Sequence, residues 1–450
     1  MTQAPLHLGA LPPEVFDKIF SELETIRDLA NFVLTVRFIY CRFKARQETI
    51  LYRVLQNELG PALPDARFLF LFPYADPADM MRYHDWIYTM AGVYRDMLPR
   101  ARGLSILHDE EGNGPLMPQD GEDHGVQGDP GPPPLRELTA LCRTLHDINF
   151  LTDAYITTQL AAFARAGGTD SPATAPLSPA ERHRTVRAFY RRQIVSNAWA
   201  PTRRLPRWLD KDSHAYSNTR TDKGPLGLLA TFDPWEMQQI DHADDFVSRL
   251  CVALVHRAAD AGGEEGAGAV VREILPRQFG DLYAQLGHLV RYLRAWPGMA
   301  AAALGGPMAG RSLSSEHVYR EYEYHYRLLP LTGGWQHDQS VNFADDVFDT
   351  AEGEGLLVDE SFVGDGLGDV PFGWWDALRG HHVKKYGEGL SSIPWLPDWV
   401  NRDRIGDFVD LIDLWRRAGF AFWGRERVEA LKRLRRFEGL RTGFVVLDRP

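Results

Sequence analysis

Apolar side chains recur at intervals of three and four residues along most of this chain, which is the spacing of one face of an α-helix. Residues 135–165 give the longest example, with Leu138 and Leu141 on one side. A Ser-Pro-Ala-Glu sequence beginning at Ser178 is a capping box and predicts the start of another helix. Residues 322–329 fit a strand as well as a helix, and their helical neighbours favour the helix. The pattern predicts a mainly α fold.

The composition is that of a folded protein. Hydrophobic residues make up 44% of the 450 residues and charged residues 25%, which excludes a wholly disordered or fibrous chain. The net charge of −11 disfavours bulk binding to nucleic acid. Without a signal peptide or an apolar run of about 20 residues, we expect an intracellular protein, cytoplasmic or nuclear, with no membrane partner.

The three cysteines are far apart in the sequence. Cys41, Cys142 and Cys251 form neither a zinc-binding pair nor a disulfide framework, and they are predicted to be buried as small apolar side chains. The chain also lacks the sequence signatures of zinc peptidases, α/β-hydrolases and P-loop nucleotide-binding proteins. We therefore expect no metal, no cofactor and no catalytic residue. An enzyme whose site is assembled only by the fold stays open as an alternative.

One segment has a composition that disfavours folding. Residues 109–134 contain seven acidic residues, six glycines and six prolines, and neither lysine nor arginine. Such a segment buries too little apolar surface to offset the entropy lost on ordering. We predict an acidic disordered linker over residues 108–134, which separates the N-terminal residues from a helical region at 135–450.

Residues 11–59 contain more apolar helical surface than so short a segment can bury on itself. A Leu-Pro-Pro-Glu sequence begins the first helix, in which Val15, Ile19 and Leu23 form a stripe. A polar break at 24–25 precedes a second helix that includes Val36, and a third helix follows. Because an apolar face left uncovered is typical of a partner surface, this segment is predicted to be a three-helix docking module.

The same residues resemble an F-box. The similar parts are LPPEVFDKIFSEL at 11–23 and RDLANFVLTVRFIYCRF at 27–43. Val36 stands where the family often has cysteine, and Phe38 stands where a basic residue is usual. The matching positions are Leu11, Pro12, Val15, Ile19, Leu23 and Leu29. Further along, the segments 177–195, 233–240 and 419–431 are similar to a broad group of filamentous-fungal F-box-like proteins.

This resemblance implies a function. Those six residues would bind the adaptor of a cullin-RING (SCF-type) ubiquitin ligase and, through it, the cullin, and the rest of the chain would recruit an unknown protein client. The implied organisation is an F-box at 8–59, a helical extension at 60–107, the linker, and a larger helical client-recruiting region with long loops. The subunit itself would be non-catalytic. An F-box-like interaction module acting outside ubiquitylation is the alternative.

A cluster of arginines suggests where a client binds. Residues 182–207 contain eight arginines and no acidic residue. Helical spacing places Arg184, Arg187 and Arg191 on one face, and arginine binds carboxylate and phosphate with two parallel hydrogen bonds. We therefore predict a binding site for an acidic or phosphorylated client, and a nucleic-acid patch is the other functional interpretation. The alternative is that these arginines pair with carboxylates of the same chain.

Overall fold

The computed structural model describes residues 12–71, 83–98, 132–199 and 419–433, with short pieces between 228 and 247 and at 371–373. Within these residues the regular structure is helical and contains no strand, which confirms the mainly α fold. Leu11, most of the predicted linker and the segment 322–329 lie outside the described residues. The predicted domain boundaries stay predictions.

Four helices form the N-terminal part of the described chain. They are α1 (Pro13–Ser21), α2 (Ile26–Val33), α3 (Arg37–Ala45) and α4 (Gln47–Leu59). Thr25 begins α2 by accepting a hydrogen bond from the Asp28 amide at 3.0 Å, as expected of an N-cap threonine.

The predicted single helix through Val36 is wrong. The helix α2 ends at Val33, and the Thr35 hydroxyl donates to the Phe32 carbonyl at 2.7 Å in the turn that follows. Val36 is the N-cap of α3. The apolar spacing continues through Leu34 and Val36, so periodicity alone gave no sign of the turn. The segment therefore has four helices in place of the predicted three.

The N-terminal helices pack on the rest of the described chain. The Glu58 carboxylate in α4 accepts from the backbone amide of Ile26 at 2.7 Å and from the side-chain amide of Asn149 at 2.9 Å. The Glu48 carboxylate accepts from the Leu135 amide at 3.2 Å. The first of these three hydrogen bonds joins α2 to α4, and the other two join α4 to the helix that begins at residue 135. Burial raises the pKa of Glu58.

Five further helices follow, and one of them, the fourth, is buried among the others. They are α5 (Leu63–Leu71), α6 (Tyr83–Met97), α7 (Leu135–Gly167), α8 (Pro179–Trp199) and α9 (Arg425–Lys432). The capping box at the start of α8 is confirmed, with the Ser178 amide 2.9 Å from the Glu181 carboxylate and the Glu181 amide 3.2 Å from the Ser178 hydroxyl. Every residue from 184 to 195 is buried, so α8 lies at the centre of the described part of the chain.

The segment 419–433 completes the core around α7 and α8. Gly419 has a φ of +67°, and a Cβ atom there would lie 2.6 Å from the Tyr155 hydroxyl, so only glycine fits. Trp423 is fully buried, with its ring centroid 6.4 Å from that of Tyr155 and 6.1 Å from that of Phe163. A segment more than 200 residues away in sequence therefore supplies one of the largest core side chains.

The ion pair between Arg427 and Glu181 fixes this segment. The Arg427 guanidinium lies 3.1 Å from the Glu181 carboxylate and donates to the backbone carbonyls of Ala173, Ala175 and Pro176. Both charges are buried, and hydrogen bonds from several directions offset the cost of removing them from water.

We predict that Trp423→Ala lowers the free energy of unfolding by about 3–5 kcal/mol, because it removes a fully buried aromatic ring and leaves a cavity. Chemical denaturation of the full chain measures this change. Glu426→Gln, at an exposed position of the nearby helix α9, is the control and should change stability by about 0.5 kcal/mol or less. An equal effect of the two substitutions would show that 419–433 is not part of the core.

Candidate docking surface

Exposed apolar side chains gather on the N-terminal helices. In the described part of the chain, five of the large exposed ones lie within α1 to α3 and the turn between α2 and α3, and Leu34 is 81% exposed. We call these five residues the docking surface: Val15, Leu34, Val36, Phe38 and Tyr40. Single exposed apolar residues are common, but five within 26 residues make this the candidate docking surface of the described part of the chain.

Two contacts of the Phe38 ring fix its position in the docking surface. The ring centroids of Phe38 and the buried Phe16 are 5.4 Å apart in an edge-on arrangement, which places the start of α3 against α1. The Arg42 guanidinium lies 5.2 Å from the centroid of the Phe38 ring. Phe38 is therefore fixed by core and cation contacts while 36% of it stays exposed.

The turn between α2 and α3 presents the most exposed part of the docking surface. Leu34 is the C-cap of α2 and Val36 is the N-cap of α3, so the ends of two helices fix their backbone positions. The Leu34 amide donates to the Ala30 carbonyl at 3.1 Å, and the Tyr40 amide donates to the Val36 carbonyl at 3.2 Å. The turn thus holds two apolar side chains outward on a hydrogen-bonded backbone, which limits the entropy lost on binding.

The residues predicted to contact an adaptor differ in their exposure. The four on or beside α1 form two groups: Pro12 and Val15, and Ile19 and Leu23. Pro12 and Val15 are exposed, so a partner can reach them. Ile19 and Leu23 are half-buried, and Leu23 packs against the core.

For Leu29 the prediction of direct contact is wrong. This residue is 3% exposed because it lies on the inward face of α2, where it belongs to the core. Leu34 and Tyr40 were missed, since recognising them requires knowing that α2 ends at Val33.

The three arginines predicted to bind a client do not form a surface. Arg184, Arg187 and Arg191 are 3%, 8% and 1% exposed, so the prediction that they project toward a client is wrong. The Nε atoms of Arg187 and Arg191 each lie 3.0 Å from the Asp65 carboxylate, and both guanidinium groups also pair with Glu236. The alternative, pairing within the chain, is confirmed for these two residues.

The third arginine makes a different contact. Arg184 donates from Nη1 to the backbone carbonyl of Phe422 at 3.3 Å, which joins α8 to the segment 419–433. Its burial comes from the central position of α8, which spacing within a single helix did not indicate.

The buried carboxylate of Asp65 is held in its charged form. Burial alone would raise its pKa, but the guanidinium groups of Arg191 and Arg187 and a hydrogen bond from the Tyr94 hydroxyl hold that pKa below its ordinary value. Burial and the Asp65 charge raise the pKa of Tyr94 well above its ordinary value. Two carboxylates and two guanidinium groups balance in charge, so these four buried side chains carry no net charge that would attract an ionic ligand.

The two described cysteines are less buried than predicted. Cys41 is exposed, which the sequence did not indicate, and Cys142 is half-buried; Cys251 lies outside the described residues. Burial raises the pKa of the Cys142 thiol to about 11, so it is protonated at neutral pH.

Among the residues that the structure describes, no group of three or more His, Cys, Asp or Glu is arranged to hold a metal ion. No helix in this part of the chain is long and apolar enough to cross a membrane.

The chain matches no protein-family model, no curated protein and no solved structure. The resemblance of residues 11–43 to an F-box therefore rests on the sequence features described above.

We predict that the free energy of unfolding falls as the pH drops below 3.8, the ordinary pKa of an aspartate. The folded state holds the Asp65 pKa below that value, so its stabilisation is complete above 3.8 and is lost as the carboxyl becomes protonated. Asp65→Asn should lower stability at neutral pH by about 3–5 kcal/mol, because it leaves two buried guanidinium groups short of a counter-charge.

Denaturation as a function of pH, with Asp153→Asn as the control at an exposed ion pair, measures both effects. Equal acid sensitivity of the Asp65→Asn variant and the unsubstituted chain would contradict the assignment to Asp65.

Proposed function

We propose that this chain is an F-box subunit that docks on the adaptor of an SCF-type ubiquitin ligase and recruits a protein client. The observation that carries the proposal is the docking surface. It lies on the short N-terminal helices whose sequence resembles an F-box, the part of the chain where that family binds its adaptor. Pro12 and Ile19, beside Val15 on α1, extend the same contact.

The energetics support a docking role. A fully buried aliphatic or aromatic side chain contributes about 1.5–3 kcal/mol relative to an exposed one. Leu34, at 81% exposure, gains most from being covered, while Val36 and Tyr40 are 45% and 48% exposed. Several such side chains on a preformed backbone can offset the loss of translational and rotational freedom on association.

The attachment of the docking surface to the rest of the chain also supports the proposal. Arg46 pairs with Asp17, and Glu58 connects the start of α2 to α7, so the surface has a defined orientation relative to α7. A receptor acts by holding its client near the conjugating enzyme, which raises the effective concentration of the client. A defined orientation serves that action better than a flexible tether.

We predict that Leu34→Ser with Val36→Ser weakens adaptor binding at least about tenfold, because both side chains lose apolar area that a partner would cover. Titration of the purified full chain with purified adaptor measures the affinity. The stability of the chain should change by about 1 kcal/mol or less, since both positions are exposed.

The matched control is Leu71→Ser with Val93→Ser, which removes two exposed apolar side chains of α5 and α6. The control should bind the adaptor normally. Equal binding by all three proteins would refute the docking surface, and the absence of adaptor binding by the unsubstituted chain would refute the proposed function.

A second experiment separates the ligase subunit from an F-box-like module acting outside ubiquitylation. Affinity purification of the full chain from its own cells should recover both adaptor and cullin, together with a client that becomes ubiquitylated. The Leu34→Ser, Val36→Ser variant should lose the adaptor and the cullin together and keep the client. Recovery of the adaptor without the cullin would favour the alternative.

A further inference from the structure

The helix α3 and its flanking residues form a cationic stretch. Between Asp28 and Glu48 the chain has four basic residues and no acidic one, although the whole chain carries a net charge of −11. The basic residues are Arg37, Arg42, Lys44 and Arg46. Three residues of the docking surface, Val36, Phe38 and Tyr40, lie in the same stretch, so the cations border apolar side chains.

Most of this positive charge is not neutralised within the described part of the chain. There, Arg46 is the one of the four that forms an ion pair, and its partner is Asp17. Lys44 donates to the uncharged side chain of Gln47 at 2.8 Å, and Arg42 lies over the Phe38 ring. Arg37 is exposed beside Val36 at the start of α3.

The other side of the docking surface has a different charge. On α1, Glu14 and Asp17 are acidic and Lys18 is basic, and Asp17 is the partner of Arg46. The excess of basic over acidic residues therefore lies on the α3 side of the apolar residues. A partner that covers the surface must place the complementary charge on that side.

We infer that the part of the adaptor facing α3 presents carboxylates around an apolar centre. This inference rests on the proposed function and adds the chemistry of the partner. Arg37 has a planar guanidinium suited to a two-point contact with a carboxylate, and Lys44 supplies a second charge about two helical turns away. The apolar residues give the affinity, and the cations set the orientation and the rate of association.

The test measures association of the full chain with the purified adaptor at low and high salt. Arg37→Glu with Lys44→Glu should slow association about tenfold at 50 mM NaCl and about twofold at 500 mM, because salt screens exposed charges. Arg42 is left unchanged, since it also packs on Phe38.

The matched control is Arg136→Glu with Arg143→Glu, which changes the net charge equally at two exposed positions of α7. This variant should slow association no more than about twofold at either salt concentration. The contrast between the two variants separates a local contact from the effect of overall charge.

The outcomes are distinct. Weaker association of the α3 variant alone, with strong salt dependence, supports the inference. Equal rates for the two variants overturn it and leave the proposed function standing. Faster association of the α3 variant overturns it too, because the cations would then attract acidic residues of this chain, such as those at 109–129, in place of the adaptor. No adaptor binding by the unsubstituted chain overturns both proposals.

Discussion

The carboxylate of Asp65, shared between Arg187 and Arg191, is the contact on which the described fold depends. It is fully buried on α5 and meets two guanidinium groups on the central helix α8, and Glu236 completes the charge balance. A buried charge without a partner is strongly destabilising, so this cluster tolerates few alternative positions of α5 relative to α8.

A second buried carboxylate also fixes two segments relative to each other, at the start of α8. There Glu181 caps its own helix and pairs with Arg427, so one carboxylate begins α8 and fixes the segment 419–433. The aromatic residues of that segment then fill the space beside α7, where Trp423 meets Tyr155. In both clusters, the paired charges determine which helices and segments lie against each other. The apolar side chains around them supply most of the buried surface area.

Local features of the sequence predicted most of the helices, because capping residues and apolar spacing act within a few positions. The capping box at Ser178 is an example. The arginines of α8 could not be placed in this way, since the Asp65 partner of Arg187 and Arg191 is more than 120 residues distant in sequence. The site was predicted in part: Val15 is exposed as expected, whereas Leu34 emerged only once the end of α2 was known.

The carboxylate of Glu58 affects whether the N-terminal helices can be transplanted to another protein. One oxygen receives the first amide of α2 and the other receives the Asn149 side chain of α7. A graft of residues 12–59 onto a foreign protein would leave Glu58 without its α7 donor. The N-terminal helices are thus held in place partly by α7, so a transplanted copy would lack one of the contacts that fix their position.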